Sequence, residues 1–482
     1  MKPTLLTMGI MTGNSLDGVD VVITRLSPDG GIHDAQHYAG PFPTDLADHI
    51  RTFRDALKSN DGDLARAERQ CSAPLSDIHA RYIKVVAEAC LATIVTARTA
   101  KTIGREETPD LVGFHGQTCA HLPPSIARQK NLSPYTIQMG DAQALANVLD
   151  IPVAYDFRSD DIMNGGEGAP FAPIHHLHLA RHAKAHGAFP IAFINGGNTG
   201  NLSVITNQIG RKEPSVFGWD TGPFNHFPDL LARREAGLPH DVNGEIGLRG
   251  VVNESLLRLM FNTSAVTSAG SNFITQRPPR SSDPQWYKEI PELVGTAPVD
   301  GQILPLADRM RTAEYFSAYI AMYSLSFVRP DCEFPHYFGL CGGGWKNPII
   351  ASHFRFLMRN SPGQIILKEH EGIYAEILSR LGKRKPTVES TSAFGFDPNS
   401  MEARIFADAA ARLVWGDHFT QPSVTGVVNP TICGRIRFPT NKDPKSFLVG
   451  RYLSEAGTVV DLQSTRGFRD PRFGRALPGW RS

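Results

Sequence analysis

The stretch Leu5-Leu-Thr-Met-Gly-Ile-Met-Thr-Gly-Asn-Ser-Leu-Asp-Gly-Val-Asp-Val-Val-Ile23 places a small polar turn between two apolar runs. Such runs on either side of a Gly/Asn/Ser turn predict a strand, a tight turn and a second strand. Gly13, Asn14 and Ser15 would present backbone N–H groups and a hydroxyl, which is what a phosphate requires. The turn lacks both Gly-Lys-Ser/Thr and G-x-G-x-x-G, so it is neither a P-loop nor a dinucleotide-binding loop. A plain hairpin is the alternative.

The same pattern returns in the middle of the chain as Pro190-Ile-Ala-Phe-Ile-Asn-Gly-Gly-Asn-Thr-Gly-Asn-Leu-Ser-Val-Ile-Thr206. An apolar run again leads into a turn of Asn, Gly and Thr, and a second apolar run follows. Two hairpins of this kind, one in each half of a chain, are suited to hold a polyphosphate between two domains. The repetition therefore favours a phosphate-binding protein over a chance recurrence of hairpins.

Length and composition place the chain among ordinary globular proteins. Its 482 residues exceed the usual size of one hydrophobic core and predict at least two domains. A net charge of +1 offers no basic field for nucleic acid. No run reaches the roughly 18 apolar residues of a membrane span, and the N-terminus lacks a signal-peptide core. Because the six cysteines lie far apart without C-x-x-C, we expect a cytoplasmic enzyme that binds neither nucleic acid nor membranes.

One carboxylate stands in the run Phe217-Gly-Trp-Asp-Thr-Gly-Pro-Phe-Asn225, where an aromatic segment leads into a Thr-Gly-Pro turn. Gly222 permits a tight bend and Pro223 fixes φ, so the turn is stiff. A carboxylate held on a stiff turn, here Asp220, is suited to act as a general base or as a metal ligand. The alternative is an aspartate that caps the following helix.

Polar residues follow two predicted strands in the first half of the chain. His115 and Gln117 flank a glycine after one of them, and Asp161 lies in a charged, glycine-rich loop after the next. Loops at strand ends often carry ligand-binding residues. In that loop Asp156 and Arg158 are expected to pair with one another, which leaves Asp161 freer for a ligand. A core histidine satisfied by a carbonyl is an equally good interpretation of His115.

Two further features lie in the second half of the chain. Gly342, Gly343 and Gly344 separate a predicted strand from a predicted helix, which allows close backbone approach to a flat or charged ligand. A tight packing turn is the alternative. Glu402 falls in the first turn of the predicted helix Met401–Trp415, where it either complements the helix dipole or reaches a metal.

Together these motifs resemble those of the anhydro-N-acetylmuramic acid kinases, a family of actin/hexokinase-like ATPases. The resemblance runs from about Met8 to about Pro439. The family's G-x-M-S-G-T-S-x-D-G-x-D resembles residues 9–20. Its N-x-G-G-x-x-N resembles residues 195–201, which keep the outer asparagines but shift the glycine pair. The other matches are H-G-Q-T at 115–118, G-D at 140–141, D-F-R-x-x-D at 156–161, G-G-Q-G-A-P at 165–170, F-D-T-G-P-G-N at 219–225, C-G-G-G at 341–344, E-A at 402–403 and P-S-V-T-G at 422–426.

The resemblance implies an α/β protein with the two-domain actin/hexokinase-like (ribonuclease-H-like) fold and with ATP and sugar in the interdomain cleft. Domain I is expected to comprise residues 1–137 and about 412–439, and domain II residues 138–411. Residues 440–482 are expected to form a C-terminal appendage with one strand, Phe447–Tyr452. The implied partners are ATP with Mg²⁺, a small-molecule anhydro sugar and a second copy of the chain in a homodimer.

The resemblance also assigns roles to residues. Asp220 is the implied catalytic base, taking a proton from a water that attacks the anomeric carbon of a 1,6-anhydro sugar while O6 accepts the γ-phosphoryl group. Glu402 is the implied Mg²⁺ ligand, and Asp220 shares the metal. The implied ATP-binding residues are Gly13, Asn14, Ser15, Leu16, Asp17, Gly18, Val19, Asp20, Gly197, Asn201, Gly342, Gly343, Gly344 and Asn347. The implied substrate-binding residues are His115, Gln117, Asp161, Gly168 and Asn225.

Several residues depart from the family pattern near the expected sugar and phosphates. Phe224 replaces a glycine of D-T-G-P-G-N, Glu167 a glutamine, Asn14 a threonine and Arg280 a lysine. The expected substrate is 1,6-anhydro-N-acetylmuramic acid, but the bulk of Phe224 would suit a smaller sugar, as in the related levoglucosan kinases. The same departures are also compatible with a catalytically inactive sugar or nucleotide sensor. A kinase that phosphorylates an open hydroxyl is a third hypothesis, because actin-like sugar kinases also use one aspartate as a base.

Overall fold

The computed structural model describes residues 1–456, apart from residues 14, 15, 17, 268, 279 and 283–285. The chain divides into two compact units. Unit 1 comprises Met1–His175 together with the C-terminal segment that begins at Glu402, and unit 2 comprises His176–Met401. Unit 1 is therefore discontinuous in sequence, whereas unit 2 is one continuous stretch.

Unit 1 contains a six-stranded mixed sheet and a separate two-stranded sheet. Its strands are β1 (Leu5–Thr12), β2 (Gly18–Leu26), β3 (Ile32–Pro41), β4 (Leu111–Phe114), β5 (Gln117–Leu122), β6 (Tyr135–Met139), β7 (Val153–Tyr155) and, from the C-terminal segment, β13 (Arg435–Arg437). The large sheet has the order β13-β7-β4-β1-β2-β3. β1, β2 and β3 are antiparallel neighbours, and β4 and β7 continue the sheet parallel to β1. β13 pairs antiparallel with β7, and β5 pairs with β6.

The helices of unit 1 cover this sheet. They are α1 (Thr44–Ser59), α2 (Leu64–Glu68), α3 (Leu75–Thr99), α4 (Pro124–Lys130), α5 (Ala142–Leu149), α6 (Ser159–Met163), α13 (Met401–Trp415), α14 (Pro422–Thr425) and α15 (Leu448–Ala456). Phe53 of α1, Tyr82 of α3 and Leu145 of α5 belong to one buried apolar cluster with the strands. A further helix, α7 (Ala172–Ala185), contains the boundary between the units.

Two glycines let α13 approach the sheet of unit 1 closely. A Cβ atom on Gly9 of β1 would lie 2.0 Å from the carbonyl oxygen of Ala403, and one on Gly113 of β4 would lie 1.9 Å from that of Phe406. Real Cβ atoms do not come this close to backbone atoms, so any side chain at either position would push the helix away. Glycine at both positions therefore lets α13 pack directly on β1 and β4.

Unit 2 is built on a five-stranded sheet with the order β10-β9-β8-β11-β12. Its strands are β8 (Ile191–Gly196), β9 (Thr199–Thr206), β10 (Ser215–Pro223), β11 (Tyr337–Cys341) and β12 (Thr387–Ser390). β8, β9 and β10 are antiparallel neighbours, whereas β11 and β12 run parallel to β8. The helices are α8 (His226–Leu231), α9 (Glu254–Thr263), α10 (Leu306–Ser324), α11 (Pro348–Met358) and α12 (Glu371–Leu381). α10 is buried from Arg309 onwards along almost its whole length and forms the centre of the apolar core.

The two units repeat one topology. In each, three antiparallel strands that follow one another in the chain are extended by two strands parallel to the first. In each, a glycine-bearing hairpin joins the first two strands. This repeated order confirms the predicted ribonuclease-H-like α/β fold in both halves of the chain.

The structure corrects the predicted boundaries. Residues 138–175 were expected in domain II, but β7 pairs with β4 in the sheet of unit 1, so the division falls at His175. The second division lies at Glu402 rather than near residue 412, because α13 packs on β1. The predicted strand Phe447–Tyr452 is wrong: the chain forms α15 there, with Val449 and Leu453 buried. Residues 457–482 of the predicted appendage lie outside the described residues.

Within the part of the chain that the structure describes, no helix combines the length and the apolar character needed to cross a membrane.

Candidate active site

Asp220 lies in a row of positions that crosses four strands at one edge of the unit 2 sheet. It is opposite Asn201 on β9, which is opposite Asn195 on β8. Asn195 is in turn opposite Cys341 on β11. β8 and β11 are parallel and both end at this edge, and ligands of α/β proteins bind at the carboxyl ends of parallel strands. The predicted base, the predicted hairpin and the glycine-rich turn are thus brought to the same edge of one sheet.

The carboxylate of Asp220 is held through one of its two oxygens. The backbone N–H of Ser282 donates to Oδ2 at 2.7 Å, and the hydroxyls of Ser281 and Ser282 lie 3.3 Å from the same atom. Oδ1 accepts no hydrogen bond from any described residue. Burial raises the pKa of Asp220 to about 6, against the effect of the Ser282 N–H and of Arg280. The arrangement suits a base that is oriented by one oxygen and reactive at the other.

The backbone at Asp220 is fixed by the side chain of Arg280. Its Nε donates to the carbonyl oxygen of Asp220 at 2.8 Å, and the N–H of Asp220 donates back to the carbonyl oxygen of Arg280 at 3.2 Å. The remaining guanidinium donors bind three carbonyl oxygens and one hydroxyl, those of Phe273, Ile274, Gln276 and Ser324. Burial lowers the pKa of Arg280 to about 10. This departure from the family lysine therefore acts as a buried brace for the base.

The tip of the β8–β9 hairpin holds the segment that follows Asp220. The N–H of Phe224 donates to the carbonyl oxygen of Asn198, and that of Asn225 to the carbonyl oxygen of Gly197, both at 3.0 Å. Gly197 is predicted to bind ATP and Asn225 to bind substrate, and the structure brings them into direct contact. Their roles toward ligands stay predictions.

A tyrosine that the sequence reasoning missed joins the hairpin to the loop that holds Asp220. The hydroxyl of Tyr287 lies 2.8 Å from Thr199 Oγ1 and 2.7 Å from Ser282 Oγ. Tyr287 follows Asp220 by more than sixty residues in a stretch without regular periodicity, so no local pattern pointed to it. The hydrogen-bonded chain makes the base and the hairpin parts of one rigid assembly.

Phe224 does not line the site, which corrects the expectation that it sets the size of the sugar. Its side chain is fully buried and packs against Trp345, with ring centroids 4.8 Å apart. A Cβ atom on Gly196 would lie 2.6 Å from the Phe224 ring, and one on Gly200 would lie 3.0 Å from it. Phe224 therefore fills the space above the two hairpin glycines from within the core.

The three glycines after β11 differ in their surroundings. A Cβ atom on Gly342 would lie 2.2 Å from Asn195 Oδ1, and one on Gly344 would lie 2.1 Å from Asn225 Oδ1. Gly342 also has a φ of 88°, which favours glycine. Gly343 is exposed, and a Cβ atom there would meet no described atom within 4 Å. The absence of a side chain at Gly342 and Gly344 therefore leaves room for Asn195 and Asn225, whereas the backbone of Gly343 is exposed to solvent.

Asn347, which is predicted to bind ATP, uses its side chain within the protein. Its Oδ1 accepts from the N–H groups of Ile349 and Ile350 at 2.9 and 3.4 Å and so caps α11. Its Nδ2 donates to Glu314 Oε1 at 2.6 Å. We correct its expected role from a ligand contact to the support of the turn.

In unit 1 the first hairpin is described only in part, because Asn14, Ser15 and Asp17 lie outside the described residues. The N–H of Leu16 donates to the carbonyl oxygen of Gly13 at 3.2 Å, and the Leu16 side chain is buried. Val19 is also buried. Asp20 lies 3.3 Å from Nε2 of His37 on β3. Gly18 begins β2, opposite Pro41 of β3. ATP contacts at this hairpin stay predictions.

Glu402 is exposed at the start of α13, in the same unit as this hairpin. The approach of Ala403 to Gly9 places the start of the helix directly on β1. Mg²⁺ bound to nucleotide phosphates needs only one or two protein carboxylates. Among the described residues, no three His, Cys, Asp or Glu side chains gather as a metal cluster. The Mg²⁺ role of Glu402 stays a prediction. Asp220, the second predicted ligand, belongs to unit 2.

His115 is a structural residue rather than a free ligand-binding side chain. Its Nδ1 donates to the carbonyl oxygen of Gly116 at 2.8 Å, and its Nε2 accepts from Arg158 Nε at 2.8 Å. Burial and the charge of Arg158 keep its pKa well below the usual value, so the ring is neutral. Arg158 also donates to the carbonyl oxygen of Gly168, whereas Asp156 accepts from Ser159. The expected Asp156–Arg158 pair is therefore wrong.

Asp161 is likewise committed within unit 1. It is fully buried, and its carboxylate accepts from the N–H of Gly168 and from the hydroxyl of Thr425, both at 2.7 Å. Burial raises its pKa. Asp161 therefore shapes the loop at 165–168, and a direct contact between its carboxylate and a substrate is not supported.

Two further residues of unit 1 were singled out in the sequence. Gln117 is fully buried, its Nε2 donates to the carbonyl oxygen of Thr118, and its Oε1 accepts no bond from the described residues. Glu167, the departure from the family glutamine, accepts at 2.6 Å from the hydroxyl of Ser125 at the start of α4. Its carboxylate thus supports the loop that carries Gly168.

The family model for anhydro-N-acetylmuramic acid kinase matches residues 5–378 of the chain. An anhydro-N-acetylmuramic acid kinase of Rhodopseudomonas palustris is 28% identical over 432 residues, which are 90% of this chain and 99% of that protein. One of Roseobacter denitrificans is 30% identical over 434 residues, which are 90% of this chain and 94% of that protein. The similarity therefore covers nearly the full length of both relatives.

Proposed function

The chain belongs to the anhydro-N-acetylmuramic acid kinase family, and we propose on that basis that it opens 1,6-anhydro-N-acetylmuramic acid with water and transfers the γ-phosphoryl group of ATP to its O6. The products are the 6-phospho sugar and ADP. The single observation that carries the proposal is Asp220: a partly buried carboxylate, oriented through Oδ2, with no described donor on Oδ1, and in register with both the hairpin and the glycine-rich turn.

The proposed chemistry needs one proton acceptor. Asp220 takes a proton from water as the water oxygen bonds to C1 of the sugar, the C1–O6 bond breaks, and O6 accepts the phosphoryl group. The raised pKa, about 6, leaves Asp220 ionised at neutral pH and makes it a stronger base than an exposed aspartate. Arg280 and Ser282 hold it without occupying Oδ1.

The proposed phosphate contacts are made mainly by backbone. Gly343 presents open main chain beside the row that contains Asp220, and the hairpin at 195–201 supplies further N–H groups at the same edge. Such groups bind phosphate oxygens without a charged side chain. Glu402 would hold Mg²⁺, which would neutralise phosphate charge when bound.

No observation favours a smaller sugar. The residue that suggested one, Phe224, is fully buried against Trp345. We therefore keep 1,6-anhydro-N-acetylmuramic acid as the proposed substrate. A homodimer and a cytoplasmic location stay expectations from the resemblance.

The proposal is tested by following ADP release and sugar phosphorylation with 1,6-anhydro-N-acetylmuramic acid, levoglucosan and matched reducing sugars. The wild type is expected to phosphorylate the anhydro-muramic sugar fastest. Asp220→Asn is expected to lose about 10²–10⁴-fold in kcat, as general bases do. Asp300→Asn is the matched control, because Asp300 is exposed and its positive φ, 48°, suits asparagine equally well.

Three results would contradict the proposal in different ways. Undiminished turnover by Asp220→Asn would rule out Asp220 as the general base. Phosphorylation of reducing sugars alone would make the protein an ordinary sugar kinase. Binding of ATP by calorimetry without turnover on any sugar would make it a sensor.

A further inference from the structure

Two buried acidic side chains of unit 2 have no part in the proposed reaction. Glu314 is on the central helix α10 and is fully buried, and Asp241 precedes the short 3-10 turn Val242–Gly244 and is 3% exposed. Ionised carboxyl groups are almost never buried in contact unless something compensates for their charge. The two groups therefore need an explanation that the proposed reaction does not supply.

Asp241 is compensated by backbone donors. Its carboxylate accepts from the N–H of Ile246 at 3.0 and 3.2 Å and from the N–H of Gly247 at 2.9 Å. A Cβ atom on Gly247 would lie 1.9 Å from Glu314 Oε2, so the loop and the Glu314 side chain are in close contact. These bonds hold the loop at 241–247 in place through the Asp241 carboxylate.

Among the described residues, Glu314 has a hydrogen-bond donor on only one of its oxygens. Its Oε1 accepts from Asn347 Nδ2 at 2.6 Å. Its Oε2 is buried, receives no hydrogen bond from any described N–H or O–H group, and lies against Gly247, whose N–H donates to Asp241 Oδ2. The neighbouring Asp241 carboxyl also raises the pKa of Glu314. Two carboxylate oxygens attract one another only when a proton lies between them. That proton belongs on Glu314, since Asp241 already accepts from the backbone.

The charged surroundings agree with this assignment. Arg311, one turn earlier on α10, favours ionisation of Glu314 only weakly and makes no hydrogen bond to it. His353 of α11 faces Arg311, and burial lowers its pKa to about 4, so it is neutral. Burial and Asp241 together raise the pKa of Glu314 to about 9, despite the bond from Asn347.

We propose that Glu314 is a positioning residue for the glycine-rich turn: as a neutral acid it donates to Asp241 and accepts from Asn347, tying the loop at 241–247 and the start of α11 to α10. Asn347 is the last residue before α11 and follows Gly342, Gly343 and Gly344 closely in the chain. The position of Gly343 therefore depends on Glu314 through Asn347. The inference rests on the proposed use of that turn to bind ATP.

The test compares two substitutions that differ only in what they preserve. Glu314→Gln keeps an acceptor toward Asn347 and a donor toward Asp241, so the ATP KM is expected to stay within about twofold of the wild type. Glu314→Ala removes both, and the loss of a buried hydrogen bond predicts an ATP KM raised by about tenfold. kcat is expected to change far less than KM, because Asp220 is not involved. The exposed Glu376→Gln is the matched control.

A readout without ATP keeps the inference separate from the proposed function. Infrared difference spectra of the wild type at neutral pH are expected to show a protonated carboxyl band that is absent from Glu314→Gln and retained in Glu376→Gln. If the band is missing, or if Glu314→Gln binds ATP as poorly as Glu314→Ala, Glu314 is ionised and the inference is overturned. If Glu314→Ala does not fold, the band and the Glu314→Gln comparison still decide. If the wild type turns over no sugar, the proposed function is contradicted, but the carboxyl band still tests the protonation of Glu314.

Discussion

The environment of Asp220, the proposed base, is made by ordinary neighbours. Arg280 fixes its backbone, Ser282 orients one oxygen, and partial burial raises its pKa to about 6. None of these three effects requires a residue adjacent in sequence. The stiffness of the Thr-Gly-Pro turn supplies only part of the positioning, and the remainder comes from a loop about sixty residues later.

Arg280→Lys is expected to lower the free energy of unfolding by about 1–3 kcal/mol. Lysine has a compact ammonium group, so it cannot reach the carbonyl oxygens that the guanidinium bridges, and buried acceptors lose their partners. kcat is expected to fall as well, because the backbone at Asp220 is freed. Urea denaturation measures the first effect. Arg329→Lys is the control, since Arg329 is exposed beside Asp331. Equal losses of unfolding free energy in the two variants would contradict the role of Arg280 in holding the backbone at Asp220.

At this scale the sequence predicted the residue types but not their environments. The motif around Asp220 singled out a carboxylate that lies in register with the hairpin and the glycine-rich turn, and its role as a base stays a prediction. Phe224, His115 and Asp161 were interpreted as site residues because they stand beside glycines and turns, yet each is buried and satisfied within its unit. Burial depends on which distant segments pack above a residue, and a local pattern does not contain that information.

At the scale of elements, glycines decide how closely strands, helices and turns approach one another. Apolar runs on either side of a small polar turn were sufficient to predict the hairpins of β1–β2 and β8–β9. The pairing of β7 with β4 was missed, because it joins residues about forty positions apart through an intervening hairpin and helices. The structural role of Gly113 was also invisible until α13 was placed against it.

Gly113→Ala is expected to destabilise the protein, because its Cβ atom would lie 1.9 Å from the carbonyl oxygen of Phe406 and would displace α13. Overpacking of this kind typically costs about 1–3 kcal/mol. Gly372→Ala in α12 is the matched control: a Cβ atom there meets no described atom within 4 Å, and alanine in a helix is expected to stabilise by about 0.5–1 kcal/mol. Thermal unfolding measures both. A destabilising shift in the control alone would contradict the packing of α13.

Phe224→Ala tests whether this ring supports the hairpin or shapes the sugar site. A buried phenylalanine truncated to alanine is expected to lose about 3–5 kcal/mol of stability, because a cavity remains beside Trp345. Phe356→Ala, at a side chain that is 45% exposed, is expected to lose much less. Denaturant midpoints give the comparison. A stable Phe224→Ala variant with altered sugar preference would restore the role in sugar size that the structure removes.

The pair formed by Glu314 and Asp241 predicts a pH dependence of stability. The pKa of Glu314 is about 9 in the folded chain and near 4.5 in the unfolded chain, so between these values the folded state binds one more proton. Stability is therefore fully present below the unfolded pKa and is lost as the pH rises toward the folded pKa. Because Glu314→Gln has no such proton to lose, the free energy of unfolding of the variant minus that of the wild type is expected to rise steadily from pH 5 to pH 8. A constant difference across that range would mean that Glu314 does not retain its proton.

At the scale of the whole molecule, binding of nucleotide is expected to couple to folding. ATP with Mg²⁺ at about 100 times its Kd is expected to stabilise the native state by about 2.7 kcal/mol. Asp220→Asn is expected to keep most of that stabilisation, because it removes a base rather than the phosphate contacts. Differential scanning calorimetry measures the shift. Chelation of Mg²⁺ is expected to stop turnover and restored Mg²⁺ to recover it; turnover that persists in excess chelator would contradict the proposed metal at Glu402.

The discontinuity of unit 1 has a consequence for how the chain matures during synthesis. The first 175 residues leave the ribosome before α13 and β13 have been synthesised. Until then β7 lacks its partner strand β13, and Gly9 and Gly113 lack the helix that packs on them. Unit 2 is continuous and is complete as soon as residue 401 has emerged. We therefore expect the second half of the nascent protein to reach its native state before the first, with the N-terminal portion dependent on chaperones until the last segment arrives.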